Sequence, residues 1–88
     1  MNKESFEKML NHAFVLSKQA IGQAVIIKTN YVNDYSTNVF AVFDANKIQL
    51  FDDYIIINDK CYEGRYDGIE KYATNIMIPY ANIMMVTV

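Results

Sequence analysis

The chain has 88 residues, 8 Lys and Arg against 10 Asp and Glu, and a formal net charge of −2, which excludes the basic footprint of a strong non-specific DNA binder. Apolar residues make up 52% and aromatics 14%, enough to build one core, so residues 1–88 are expected to form a single domain. One cysteine excludes an internal disulfide, no apolar run approaches the ~18 residues of a membrane span, and the polar start has no secretory leader, so a cytoplasmic protein with no membrane partner is expected.

The first element predicted is a helix over about 2–20. Phe6, Met9, Leu10, Ala13 and Phe14 recur at the spacing of one helical face. Asn2 is placed to cap its N-terminus, and Glu4 and Lys18 complement the dipole at either end. Glu4 and Lys8 are spaced for an i,i+4 pair, and Gly22 is placed to stop the helix in a left-handed conformation. Beyond Gly22 the period becomes two, and β-branched and aromatic residues dominate over about 22–88. Strands are expected at about 23–30, 37–43, 46–51, 54–59, 73–78 and 83–88. Asp44-Ala45-Asn46 reads either as a tight hairpin turn or as a bulge inside one bent strand from 37 to 51. Asn33-Asp34 and the segment Glu63 to Gly68 read as loops. Pro79 cannot donate to a ladder, which suits a strand end. The fold class expected is mainly β with one N-terminal α-helix: a small, strongly bent, five- or six-stranded antiparallel barrel capped by the helix. The apolar strand at 83–88 must be covered, by its own barrel or by another chain, because a bare apolar edge aggregates.

Few residues suggest chemistry. His12 is the sole histidine, and Cys61 has no second cysteine, so neither metal ligation nor a nucleophilic pair has the convergent groups it needs. Asp52-Asp53 with Asp59 and Glu63 form an acidic cluster, which reads first as turn chemistry and second as a cation site. Gly64 and Gly68 do not make a phosphate loop. No nucleophile, base and oxyanion donor occur together, so no enzyme, no metal and no cofactor are expected. The tyrosines are more suggestive. Tyr31, Tyr35, Tyr54, Tyr62, Tyr66, Tyr72 and Tyr80 fall mostly at strand ends and in loops, beside Asn30, Asn58, Asn75 and Asn82. Exposed rings stack bases for about 1–3 kcal/mol each without a basic surface, and Lys28, Lys47, Lys60, Arg65 and Lys71 are available for phosphates. The bland alternative is that these rings seal a core or an interface. Met77, Met84 and Met85 follow the strand period and read as core or subunit contacts. Asn, Ile, Lys and Tyr make 34 of the 88 residues, a bias toward AT-rich codons that points to a low-GC bacterium or its phage.

Two segments carry a family resemblance. Phe51-Asp52-Asp53-Tyr54-Ile55-Ile56-Ile57 resembles the aromatic-Asp-x-aromatic step of the Sm-like family, and Ile76-Met77-Ile78-Pro79-Tyr80-Ala81-Asn82-Ile83 resembles its second motif, two strands joined by a one-turn break. The order of elements resembles its bacterial Hfq-type branch. Asn46 stands where the family usually has Gly, the loop around Asn33-Asp34 is longer than the usual hairpin, and the 79–82 turn lacks the family's basic residue. The resemblance implies a ring-forming barrel that binds single-stranded RNA, with Asp52 and Tyr54 on one turn, Tyr80 and Asn82 on the opposite loop, and Lys60 toward phosphates. It also implies a homo-oligomer interface over the last two strands, at Ile76, Ile78, Ile83, Met85 and Val86. An isoleucine-proline edge of this kind recurs in pleckstrin-homology-like modules too, which normally end in a helix. The alternative function is a protein–protein module, such as a small regulator or phage-encoded inhibitor, that offers a sheet edge to a protein partner.

Overall fold

The structure is a computed structural model that describes residues 1–19, 23–30, 39–58, 61–66, 69–73 and 75–88, with 61–66 and 69–73 described by their backbone alone. Helix α1 spans Lys3–Lys18. Asn2 caps it as its position predicts: its Oδ1 accepts the Ser5 N–H at 2.8 Å. Asn2→Ala is expected to lower stability by about 1 kcal/mol, read as a lower urea midpoint at unchanged slope. Glu4 and Lys8 pair at 3.2 Å. The helix ends before residue 20, where the Gln19 N–H turns back to the Leu16 carbonyl at 3.1 Å. Gly22, expected to stop it, lies outside the described residues. Phe6, Leu10, Ala13 and Phe14 are buried, whereas Met9, expected on the same face, stays exposed at its margin. Among the described residues no helix is long and apolar enough to cross a membrane.

The strands are β1 (Val25–Thr29), β2 (Val39–Val42), β3 (Ile48–Leu50), β4 (Tyr54–Ile57), β5 (Cys61–Tyr66), β6 (Ile69–Ala73), β7 (Ile76–Pro79) and β8 (Ile83–Thr87). They form two antiparallel three-stranded sheets, ordered β2-β1-β8 and β3-β4-β7, and a β5-β6 hairpin. The protein is therefore mainly β with one N-terminal helix. Its ladders stay within these sheets, and no closed ring of ladders runs through the described residues. The expected six strands become eight because residues 63–66 of the segment read as a loop belong to β5, which pairs with β6 so that Arg65 stands opposite Glu70 and Tyr62 opposite Tyr72. Turn-forming Gly64 sits there at a register shift between Tyr62 and Gly64.

The chain passes between the two three-stranded sheets at two corners. The first is a 3-10 turn at Ala45–Lys47, η1, linking β2 to β3. The pairing of β2 with β1 and of β3 with β4 rules out a hairpin, and the 3-10 turn divides the single bent strand of the other alternative into two. Asp44 caps it, its Oδ1 accepting the Asn46 N–H at 3.4 Å. The second is a 3-10 turn at Tyr80–Asn82, η2, linking β7 to β8 directly after Pro79. Strands on both sides of each corner send side chains into one core. Val25 and Ile27 of β1, Val42 of β2, Ile48 of β3, Ile55 and Ile57 of β4, Ile78 of β7 and Ile83 of β8 pack with the buried helix residues and Tyr80. The alternation predicted from sequence thus holds where it can be seen: Val25, Ile27 and Thr29 face in, and Lys28 faces water.

Candidate functional site

The β3–β4 turn is the most developed surface feature. It turns at Asp52-Asp53, closed by the Phe51 N–H donating to the Tyr54 carbonyl at 2.9 Å. The turn sets the Phe51 and Tyr54 rings side by side, with centroids 5.0 Å apart and planes 14° from parallel. Phe51 remains 38% and Tyr54 37% exposed, so the pair forms a small aromatic platform rather than a core contact.

Tyr80 holds this turn from beneath. Its hydroxyl donates to the Phe51 carbonyl at 2.6 Å, and its N–H donates to the Asp53 carbonyl at 3.1 Å. Its ring is buried and lies 5.6 Å from Phe6, tilted by 56°. Burial first, and then the Glu7, Asp52 and Asp53 carboxylates, push the Tyr80 hydroxyl above the usual tyrosine range. The unfolded chain gives up that proton first. The stability gained from a neutral Tyr80 is therefore whole below about pH 10 and lost as pH rises through the folded value. Tyr80→Phe is expected to cost about 1 kcal/mol at neutral pH through the lost hydrogen bond. It is also expected to flatten the alkaline fall in melting temperature. Parallel pH profiles for variant and wild type would show that this phenol titrates normally.

Charge around the platform is mostly negative. Asp52 is 97% exposed and pairs with Lys3 at 3.5 Å, a contact between the start of α1 and a turn far along the chain. Asp53 is exposed beside it. Glu7, one helical turn after Lys3, reaches the same neighbourhood through its field on Tyr80.

The residues expected to bind RNA divide as follows. Asp52 and Tyr54 share the turn. Tyr80 lies below it, buried, with its hydroxyl engaged. Asn82 is tied to the end of β1: its Nδ2 donates to Asn30 Oδ1 at 3.0 Å and its carbonyl accepts the Asn30 N–H at 2.9 Å. Lys60 lies outside the described residues. Sequence reasoning missed Phe51 as Tyr54's stacking partner, and Lys3 and Glu7 as neighbours of the turn. The aromatic-x-x-aromatic spacing across Asp52-Asp53 was the available signal for the first. None existed for the other two, since they arrive by tertiary packing.

The residues expected at an oligomer interface also divide. Ile78 and Ile83 are buried in the chain's own core, and Ile76 and Val86 pack partly against it. Met85 is 47% exposed, and Met77 and Met84 are 66% and 59% exposed. Among the described residues, β7 and β8 each have a ladder partner on one side only, as do β2 and β3. Beside β8 lies a shallow, mostly apolar cleft of about 200 Å³, lined by Met9, His12 and Leu16 of the helix and by Val86 to Val88. No group of three or more His, Cys, Asp or Glu is arranged to hold a metal among the described residues.

No family model, no curated protein and no solved structure matches the chain.

Proposed function

We propose that this chain is a non-catalytic protein-interaction module of the small-barrel class, which assembles edge to edge through β7 and β8. In this reading the two three-stranded sheets are the halves of a five-stranded Sm-like barrel, in which η1 bends the second strand and η2 joins the last two. The observation that carries this reading is the free edge itself. β7 and β8 are consecutive in the chain, each is terminal in its sheet among the described residues, and between them they expose Met77, Met84 and Met85. Unpaired backbone flanked by apolar side chains is a template for another strand. A neighbouring copy that offers β8 to β7 satisfies both edges at once.

Single-stranded RNA is the weaker ligand here. The exposed rings of Phe51 and Tyr54 suit base stacking, but the exposed Asp52 and Asp53 between them carry the charge of phosphate rather than its opposite. Native mass, read together with absorbance at 260 nm, separates these readings. A defined multimer without co-purified nucleic acid is the expected result. A stable monomer at micromolar concentration would remove the assembly reading, and co-purified RNA would restore the other.

A further inference from the structure

We propose that the β3–β4 turn is a docking surface for a cationic, arginine-bearing peptide segment of a partner protein, which stacks a guanidinium on the Phe51–Tyr54 platform and pairs it with Asp52 and Asp53. The inference goes beyond assembly through β7 and β8 and is read by a different measurement.

The rings come first. Two aromatic side chains on one exposed turn, each more than a third accessible, are held parallel by a turn that Tyr80 fixes at both the Phe51 and Asp53 carbonyls. A platform held in place loses little freedom when a ligand arrives. A flat π face favours a planar cation, and arginine is the side chain that offers one together with a fork for carboxylates.

The charges then choose the occupant. Among the described residues, Asp52 and Asp53 put two exposed carboxylates on the turn that carries the rings, and Lys3 is the ammonium paired with Asp52. The surface therefore carries a net negative field where the rings are exposed. It already draws in a cation of its own chain across a long stretch of sequence. A negatively charged oligonucleotide meets repulsion at the same place, while a basic segment meets attraction that steers it onto the rings.

Fluorescence anisotropy of the intact chain with a labelled peptide of alternating arginine and glycine tests this. Saturable binding that weakens with added salt is expected. Tyr54→Ala leaves the net charge unchanged and is expected to weaken binding about fivefold by removing the stacking face. Asp53→Asn is expected to weaken it roughly tenfold, whereas Asp44→Asn, which removes a charge of the same sign at the opposite end of β3, changes it less than twofold. A glutamate–glycine peptide and oligouridylate are expected to show no saturable binding. Binding that Tyr54→Ala leaves unchanged, or that Asp44→Asn weakens as much as Asp53→Asn, would mean attraction to the acidic chain as a whole and would overturn the docking surface. Tighter binding of oligouridylate than of the arginine peptide would overturn it in favour of RNA. Retained helical circular dichroism in Tyr54→Ala and Asp53→Asn keeps the comparison free of unfolding. The result stands apart from the oligomeric state, because anisotropy reports peptide on monomer and multimer alike.

Discussion

Phe6→Ala is expected to destabilise the protein by about 3–5 kcal/mol, a large share of the roughly 5–15 kcal/mol typical of a native domain. Phe6 is fully buried, and its ring is the contact by which α1 meets Tyr80, the residue that braces the β3–β4 turn. Truncation removes the transfer free energy of the ring and leaves a cavity between the helix and the turn, which the exposed Lys3–Asp52 pair holds only weakly. Urea unfolding followed by far-ultraviolet circular dichroism should show a sharply lower midpoint. A cycle with Tyr80→Ala should return a coupling of about 0.5–1.5 kcal/mol, the range for an aromatic pair beyond simple area burial. A Phe6→Ala variant that loses less than about 1 kcal/mol would mean that the helix is not seated on the sheets.

The second large effect is expected at the free edges. Replacing Met77 and Met85 together by Lys should convert the proposed multimer to monomer, weakening association by about 10²- to 10⁴-fold. Burying a Met side chain contributes about 1.5–3 kcal/mol, so two of them contribute roughly 3–6 kcal/mol. Lysine on an edge strand also opposes pairing through the desolvation of its charge. Both methionines are exposed, so the fold itself should survive, with a melting temperature close to that of the dissociated wild type. Light scattering across a dilution series checks it. Unchanged mass in the double variant would locate any association elsewhere, with the edges of β2 and β3 next in line.

Much of the fold was legible because local rules act without competition there. Asn2, the apolar face from Phe6 to Phe14, and the Glu4–Lys8 pair all state the same helix. Inward alternation at Val25, Ile27 and Thr29 gives β1 by the same logic. The β5-β6 hairpin was missed because Gly64 and Gly68 dominate a local reading, whereas the matches that build it, Arg65 with Glu70 and Tyr62 with Tyr72, are relations between strands. Asp44-Ala45-Asn46 carried a turn signal, but only the partners of β2 and β3 could say that it turns between sheets. Tyr80 shows the limit for the site. A tyrosine after Pro79 in a short break reads as a loop residue, yet the 3-10 turn directs its ring into the core. The Asp52-Asp53 charge of the platform was legible, whereas its Lys3 partner is a tertiary fact, since Lys3 belongs to the helix.

The ladder between β1 and β8 has a consequence for biosynthesis. Thr29 meets Ile83 across 54 positions of sequence, whereas β4 has β3 immediately beside it. At about 5–20 residues per second, a ribosome needs roughly 3–10 s to make the intervening chain. During that interval β1 offers one half-built flank to solvent, and holdase chaperones have a natural target. The β3-β4 unit can nucleate early, and the sheet ordered β2-β1-β8 zips up last, so the slow phase of refolding should report on β1 and β8 together.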